Sequence, residues 1–566
     1  MKRLQRLATG AAAFAVAAAL TPAALSQDAP GFLPAQFQLA PPAGPVAPQS
    51  AVQAAMESGA ALGVRLAARG DAARFYAMRN GAPAWTEDGR LNRQARDLIA
   101  GLQAAAEHGL DPNFYHLPAL AQAIDERGRI VQGKEAETDA VLTDAFLIYA
   151  SHLLNGHIDP AALEEDVERT AEARDLAADL NAALARDGAA DLLEALAPQH
   201  PQYRLLREAY LRYAQAAAEA PWPTVDPGET LKPGMRDPRI AQVRARLDAE
   251  DAFDGGRGAG GAFATSVEAV DTLLYDAALR GRIEAFQRDH RLKADGAIGP
   301  NTLAMLNQGL AERAEAIRMN LERWRWLPND LGDRYLLVNA PEYRLHVYED
   351  GREALSMDVI VGRGSRKTPQ FSDRIEYLVV NPDWNVPYSI ATLDKLPKLK
   401  SDPAYFERMG YEIYTESGRR VSPYDVNWSN YSRGNFPFRL RQRPGPNNAL
   451  GTIKFIFPNQ YNVYLHDTDS PDLFAEDALS LSSGCVRVSD PQALARWLTD
   501  GDPALSMDEV EAAWASGQTR TLNLGEQIPV HLAYFTAWAS DGGHVDFYGD
   551  IYGRDAALHA SLINAS

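Results

Sequence analysis

The texture of this sequence changes near Asp333, and that change limits the fold more than any other feature. From Arg334 onward large apolar and polar residues alternate, as in RYLLVNAPEYRLHVYEDGREALSMDVIVG, around a turn at Asp350–Gly351. A period of two carried by β-branched and aromatic residues predicts strands. RIEYLVVNP, TIKFIFP, NVYLHD, IPVHLAYFTAWAS and VDFYGD continue it, so a mostly β domain is expected over 333–556. From about 51 to 220 the texture is instead helical, rich in alanine, leucine, arginine and glutamate, with turns at NGAPAW, HGLDP and NGHIDP, and a helical scaffold domain is expected over 51–250. In DAVLTDAFLIYASHLL, Leu142, Ala145, Phe146, Tyr149 and Leu153 fall three or four apart and define one apolar face. A chain of 566 residues, 46% apolar, can bury several cores and is read as multidomain.

The N-terminus carries Lys2, Arg3 and Arg6 before an apolar run, then small residues at Ala24 and Ser26. This predicts an export signal over 1–26, cleaved before Gln27, and a periplasmic protein. The run from Leu7 to Leu20 is too short to span about 30 Å of hydrocarbon, so no stable membrane anchor is expected. Residues 27–50, rich in proline, alanine and glycine, read as a flexible linker. The formal net charge of -19 argues against nucleic acid and anionic lipid surfaces as partners.

Turn-rich stretches, PWPTVDPGETLKPG and DAFDGGRGAGGAF, flank a short helix expected at 238–250. GRGAGG lacks the Lys-Ser/Thr of a phosphate loop and reads as linker. Residues 262–310 describe a very small three-helix unit: Ile283 and Phe286 share a face, Asp295–Gly296 turns, and Gly299–Pro300 restarts the chain before Leu303 and Leu306. Over 311–332, Ile317, Leu321 and Trp324 line one side of a helix that stops at Pro328 and completes the scaffold, with Trp326 expected in the core of the seam. Residues 388–445 are irregular, and Tyr405, Tyr411, Tyr414, Tyr424, Trp428 and Tyr431 favour an ordered cap over a disordered excursion.

The chain has one cysteine, Cys485, in SSGCVR. It cannot form an internal disulfide, so it is either a buried small hydrophobe or a reagent. A thiol with the reference pKa near 8.5 is only about 3% thiolate at pH 7, and needs a base or a positive charge beside it. His466, at the end of the strand-like NVYLH, is the candidate base. Gly484 permits a tight turn whose amides can face a developing oxyanion. Arg487 supplies charge, and alternation places it on one face with Cys485, with Val486 on the other. Histidine spacing, a lone cysteine and the acidic residues fit no metal-binding pattern, so neither metal nor cofactor is expected.

Two resemblances extend this reading. Phe286, Gln287, Asp295, Gly296, Ile298, Gly299, Thr302 and Leu303 resemble, in order, the signature of the common helical peptidoglycan-binding module, either binding or purely architectural here. HDT, a long loop, then SSGCVR resembles the catalytic signature of the L,D-transpeptidases, with Ser482 and Gly484 completing it. FYAMRNGAPAW, HGLDPNFY, KTPQF, NPDWNVPYSI, LRQRPGPNNALGTIKFIFPN and YFTAW are similar to the long periplasmic subgroup, which wraps a helical scaffold around the binding module. The resemblance implies a mostly β catalytic domain over 333–556, capped by 388–445, beside an all-α scaffold and the three-helix module. It implies Cys485 as nucleophile and His466 as general base and acid, a task suited to a group titrating near neutral pH.

Many relatives carry histidine where this chain has Ser483, so the Ser483 backbone is expected to orient His466. HDT in place of the more usual HGT points to the larger subgroup. Gly484 is expected to serve the oxyanion or the turn, and Arg487 the turn or substrate orientation. Tyr464, Trp384, Lys367 and Thr368 are candidates for substrate binding. The implied reaction takes peptidoglycan tetrapeptide stems as donor and acceptor, forms 3→3 crosslinks through a cysteine thioester and releases D-alanine. Carbapenem sensitivity and contact with other cell-wall enzymes would follow. The alternatives are an L,D-carboxypeptidase or D-amino acid exchange enzyme, and a non-catalytic wall-binding protein.

Overall fold

The helical half is built around α1, Glu135–Asn155, whose residues from Thr138 to Ala150 are all buried. The single apolar face expected from spacing understates this, because other helices surround α1 and cover its remaining sides. A helix buried all round must satisfy its polar side chains internally. Asp139 does so by accepting from the Tyr76 hydroxyl at 2.7 Å, the Ala84 and Trp85 amides at 2.9 and 2.8 Å, and the Thr86 hydroxyl at 2.9 Å. Two short ladders, Ala60–Ala61 with Val64–Arg65 and Thr86–Glu87 with Arg90–Leu91, punctuate the helices. The computed structural model describes residues 51–254, 271–540 and 543–564. The expected signal, the linker over 27–50, GRGAGG and the first residues of the 262–310 unit lie outside them.

Helix α2, Pro201–Glu219, precedes α3, Arg239–Phe253. The small unit contributes α4, Ala277–Asp289, and α5, Pro300–Leu306. Its signature residues hold it together. Gln287 accepts from the Gly296 amide at 2.9 Å and donates to the Ala297 carbonyl at 2.9 Å and the Thr302 hydroxyl at 3.1 Å, while Phe286 and Ile298 are buried. Helix α3 packs on α5, and its buried Arg246 donates to the Leu306 carbonyl at 2.7 Å. Next, α6, Leu310–Trp324, lies along α2 with Ile317, Leu321 and Trp324 buried. The Trp324 ring stacks between His200 and Phe535, 4.5 Å from each, tying the helical half to the sheet domain. Trp326 is buried core, as its place in the seam suggests. Among the described residues no helix is long and apolar enough to cross a membrane.

The sheet domain opens with β1, Arg334–Asn339, β2, Arg344–Glu349, β3, Arg352–Gly362, and β4, Phe371–Val380. The cap strands follow: β5, Trp384–Val386, β6, Tyr411–Thr415, β7, Arg420–Val421, and β8, Phe438–Gln442. The chain then returns through β9, Ile453–Ile456, β10, Leu465–His466, β11, Ser480–Ser482, β12, Val486–Val488, and β13, Arg520–Ala533. Nine of these strands form one sheet in the order β11-β3-β12-β10-β9-β4-β13-β1-β2, and β2 also pairs with β3, so the sheet closes on itself. Its interior is filled by alternating apolar residues such as Val359, Phe455, Leu465, Val486 and Val488.

The stretch expected to be a cap is ordered and has its own four-stranded sheet, β7-β6-β8-β5. That sheet recruits Trp384–Val386, just ahead of residue 388. Trp384, Leu399, Phe406, Tyr411, Trp428 and Phe438 build a core separate from that of the closed sheet. Half-buried Tyr464 packs against both cores and forms their joint.

Candidate active site

Strand register places the chemistry. β10 and β12 pair in parallel, Leu465 opposite Val486 and His466 opposite Arg487, while β9 sets Lys454 opposite His466. Lys454, His466 and Arg487 therefore form a row across three strands on one face. Two residues earlier in the chain, just ahead of the two strands, Tyr464 and Cys485 fall on that face by alternation, while Leu465 and Val486 are buried in the core. Cys485 and His466 thus share one face of neighbouring parallel segments, an approach that the spacing of the two motifs permits without requiring contact.

The turn carrying Cys485 is held from several directions. Gly484 has φ +117, a conformation that favours glycine. Its amide donates to the Ser482 hydroxyl oxygen at 3.1 Å, and the Ser482 hydroxyl donates to the Cys485 carbonyl at 2.6 Å. The Gly484 carbonyl accepts from the Thr368 hydroxyl at 2.9 Å, and Thr368 Oγ1 accepts from the Gly362 amide at 2.9 Å. A Cβ at Gly362 would lie 2.2 Å from the Arg366 carbonyl, so only glycine lets the 366–368 loop come this close. The Gly484 amide is engaged within the turn, which fits its turn role and removes it as an oxyanion donor. The Cys485 amide meets no acceptor among the described residues.

Cys485 keeps part of its surface open to solvent. Its sulfur donates weakly to the Asn462 carbonyl at 3.8 Å, and Asn462 adopts the left-handed conformation at φ 54. Burial pushes the thiol up to about 11, opposed by contacts from Tyr464 and by the charges of Arg487 and Lys454. Burial, with Arg487 and Lys454, lowers His466 to about 3, so its ring is neutral at pH 7. This overturns the expectation of a histidine titrating near neutrality: His466 is buried and faces two cations. His466 Nδ1 donates to the Asp467 carbonyl at 2.5 Å, which leaves Nε2 with a free lone pair. The orienting carbonyl is therefore that of Asp467, not that of Ser483. The Asp467 carboxylate accepts from the Thr452 amide and hydroxyl, both at 2.8 Å, and so fixes that backbone.

The other candidates divide. Tyr464 lies in the site, its ring 5.7 Å from that of His466, with Lys454 Nζ 5.3 Å from its centroid. Arg487 donates to the Thr468 hydroxyl at 3.4 Å, and its Nε is buried without a partner among the described residues. Trp384 is buried in the cap core, where Lys395 Nζ stands 5.3 Å from its ring centroid and the indole packs. Lys367 turns away to Glu164 of the helical half, 3.0 Å from both carboxylate oxygens. Thr368 is buried and supports the turn, leaving no face for substrate.

Sequence reasoning missed Asn462, Asp467, Lys454, Lys395, Arg366 and Asp394. Arg366 Nη1 donates to Asp394 of the cap at 2.6 Å and to the Ser483 hydroxyl at 2.7 Å, so the cap is fastened two residues from the sulfur. Asp394 and Lys395 lie in a π-helical turn, Ala391–Lys395, a distortion common at functional sites. Burial lowers Lys395 to about 8 despite nearby Asp469 and Asp394. HDT signalled Asp467 only as a motif letter, and its backbone role has no sequence signature. Among the described residues no group of histidine, cysteine and carboxylate side chains could hold a metal.

Residues 333–505 match the family model described as L,D-transpeptidase catalytic domain. Residues 70–209 match one described as scaffold domain, and 262–306 one described as "Putative peptidoglycan binding domain". A Haemophilus influenzae protein described as "Putative L,D-transpeptidase" is 37% identical over 250 residues, covering 44% of this chain and 50% of that protein. The chain thus spans about half the length of this curated relative. Among solved structures, an L,D-transpeptidase from Mycobacterium smegmatis shows 11% identity over 35% of this chain and 58% of its own, at TM-score 0.16. One from Stackebrandtia nassauensis shows 13% identity over 55% of this chain and 96% of its own, at TM-score 0.20. Scores this low carry no argument about the fold.

Proposed function

Because this chain belongs to the L,D-transpeptidase family, we propose that it joins peptidoglycan stem peptides by 3→3 crosslinks through a thioester on Cys485. The observation that carries this reading is the shared face of Cys485 and His466 on the parallel pair β10–β12, with His466 Nε2 left unprotonated. The donor is a tetrapeptide stem. Cys485 Sγ attacks the carbonyl between the L-centre of residue three and the D-alanine at position four, and His466 Nε2 takes the thiol proton. The tetrahedral intermediate collapses, the carbon–nitrogen bond breaks, and the departing D-alanine amine receives the proton from His466. An amine on a second stem then attacks the thioester, passes its proton to His466, and the sulfur leaves to be reprotonated.

Arg487 and Lys454 act on both partners of the transfer, opposing the imidazolium that forms and favouring the thiolate. A neutral imidazole can accept a proton, and Arg487 and Lys454 stabilise the sulfur as it becomes negative. No hydrogen bond joins the His466 ring to the sulfur among the described residues; such bonds often tighten only with substrate in place. The Cys485 amide is the donor left for the oxyanion. The cap, fastened through Arg366 and Asp394, favours an amine over water as acceptor by excluding solvent from the thioester.

Purified protein given tetrapeptide-bearing muropeptides should lose D-alanine and yield 3→3 dimers, read by mass spectrometry. Trimmed monomers alone would favour the carboxypeptidase reading, and unchanged substrate the wall-binding one. Action in the periplasm, after removal of residues 1–26, belongs to the same proposal.

A further inference from the structure

The chain from Glu164 to Glu168 leaves the helical half and lies along the 366–370 loop of the sheet domain. Val167 forms a parallel bridge with Gln370, the Gln370 amide donates to the Asp166 carbonyl at 2.8 Å, and the Glu168 amide donates to the Gln370 carbonyl at 2.8 Å. Glu164 holds Lys367 at 3.0 Å, and Arg554 bridges Glu164 and Asp166 at 3.0 and 2.6 Å. Thr368, which holds the Gly484 carbonyl, sits inside this grip. At the far end Glu168 Oε1 accepts from the Tyr461 hydroxyl at 2.8 Å and from the Gln460 amide. Both belong to the 459–462 turn, whose last carbonyl meets the Cys485 sulfur. The turn is stiffened by Asn459, whose side-chain oxygen accepts from the Tyr461 and Val463 amides at 3.1 and 3.2 Å.

Five consecutive residues of the helical half therefore contact both loops that flank Cys485, one through the backbone of its turn and one through its sulfur. We propose that residues 164–168 are a positioning strap, by which the scaffold sets the Cys485 sulfur against His466. This rests on Cys485 being the nucleophile, as proposed above. Loops joined only to their own strands fluctuate, and an error of about 1 Å in a reacting atom can cost about a hundred-fold in rate. The strap restricts that error from outside the domain that performs the chemistry. Its side chains touch neither the sulfur nor the imidazole, so it acts through the Thr368 and Asn462 contacts.

The test uses the full chain and three readouts: single-turnover acylation by a carbapenem, the pH dependence of Cys485 alkylation by iodoacetamide, and melting temperature. Glu168→Ala should lower the saturating acylation rate about ten-fold or more, leave the half-saturating concentration nearly unaltered and shift the alkylation profile, with the protein folded at the assay temperature. Glu168→Gln, whose amide oxygen still accepts from Tyr461, should restore most of the rate. Unaltered acylation by folded Glu168→Ala, or a loss that Glu168→Gln does not repair, overturns the strap. If Glu168→Ala does not fold, Tyr461→Phe, which removes one donor and keeps the ring, is judged by the same criteria of a lowered rate and shifted profile. A wild-type chain that is never acylated would instead overturn the assignment of Cys485.

Discussion

His466 and Arg487 are register partners across the parallel pair β10–β12, so a cation stands beside a ring whose burial already disfavours protonation. With the thiol near 11 and the imidazole near 3, the resting pair is uncharged across the physiological range. Acylation by a carbapenem should therefore be flat between about pH 6.5 and 8.5. Stopped-flow measurement across that range checks it, and a bell with an inflection near 7 would contradict it.

Arg487→Gln removes that cation. The His466 pKa should rise, because a positive neighbour disfavours imidazolium, and an NMR titration of the labelled ring reads the shift. An unmoved pKa would mean that burial and Lys454 depress it without Arg487.

Thr368→Val keeps shape but removes the hydroxyl that donates to the Gly484 carbonyl and accepts from the Gly362 amide. Two buried backbone groups lose a partner, so stability should fall by about 1–3 kcal/mol. Acylation should slow as the turn loosens. Chemical denaturation and single-turnover rates measure the two effects, and wild-type values for both would remove Thr368 from the support of the turn.

Buried neutral histidines predict acid lability. His200, His290, His466 and His531 have folded pKa values of about 3, 4, 3 and 4, lowered by burial. The unfolded chain binds these protons from about pH 6.5 downward while the folded chain does not. Their stabilisation is thus complete above the unfolded pKa and is lost as pH falls toward the folded values. Thermal melts from pH 7 to 4.5 should show a steep decline, and a Tm independent of pH in that window would contradict it.

Asp394→Asn weakens the ion pair between the cap and Arg366. The ratio of hydrolysed monomer to 3→3 dimer should rise, since water gains access to the thioester. Muropeptide mass spectrometry gives the ratio directly, and an unchanged value would separate the cap contact from acceptor choice.

What the sequence disclosed followed its periodicities. The change of texture at Asp333, the alternation through NVYLH and CVR, and the aromatic-rich cap each rest on local pattern, and each has its counterpart in the structure. Contacts between segments far apart in the chain were not legible. Lys367 reads as a free cation until Glu164, some two hundred residues away, is folded onto it. Trp384 reads as a candidate for substrate binding until the cap core encloses it. The His466 pKa depends on burial and on register with Arg487, neither of which has a local signal. The buried face of α1 was half seen, because periodicity marks the most apolar side and is silent when neighbours cover the others.

The central claim is an acyl-enzyme on one sulfur atom. Intact-protein mass spectrometry of the chain mixed with a tetrapeptide stem, quenched at early times, should show the mass of one tripeptide acyl group, mapped to Cys485 by digestion and absent from Cys485→Ala. Release of D-alanine by Cys485→Ala, or an acyl group mapped to any other residue, would contradict the account.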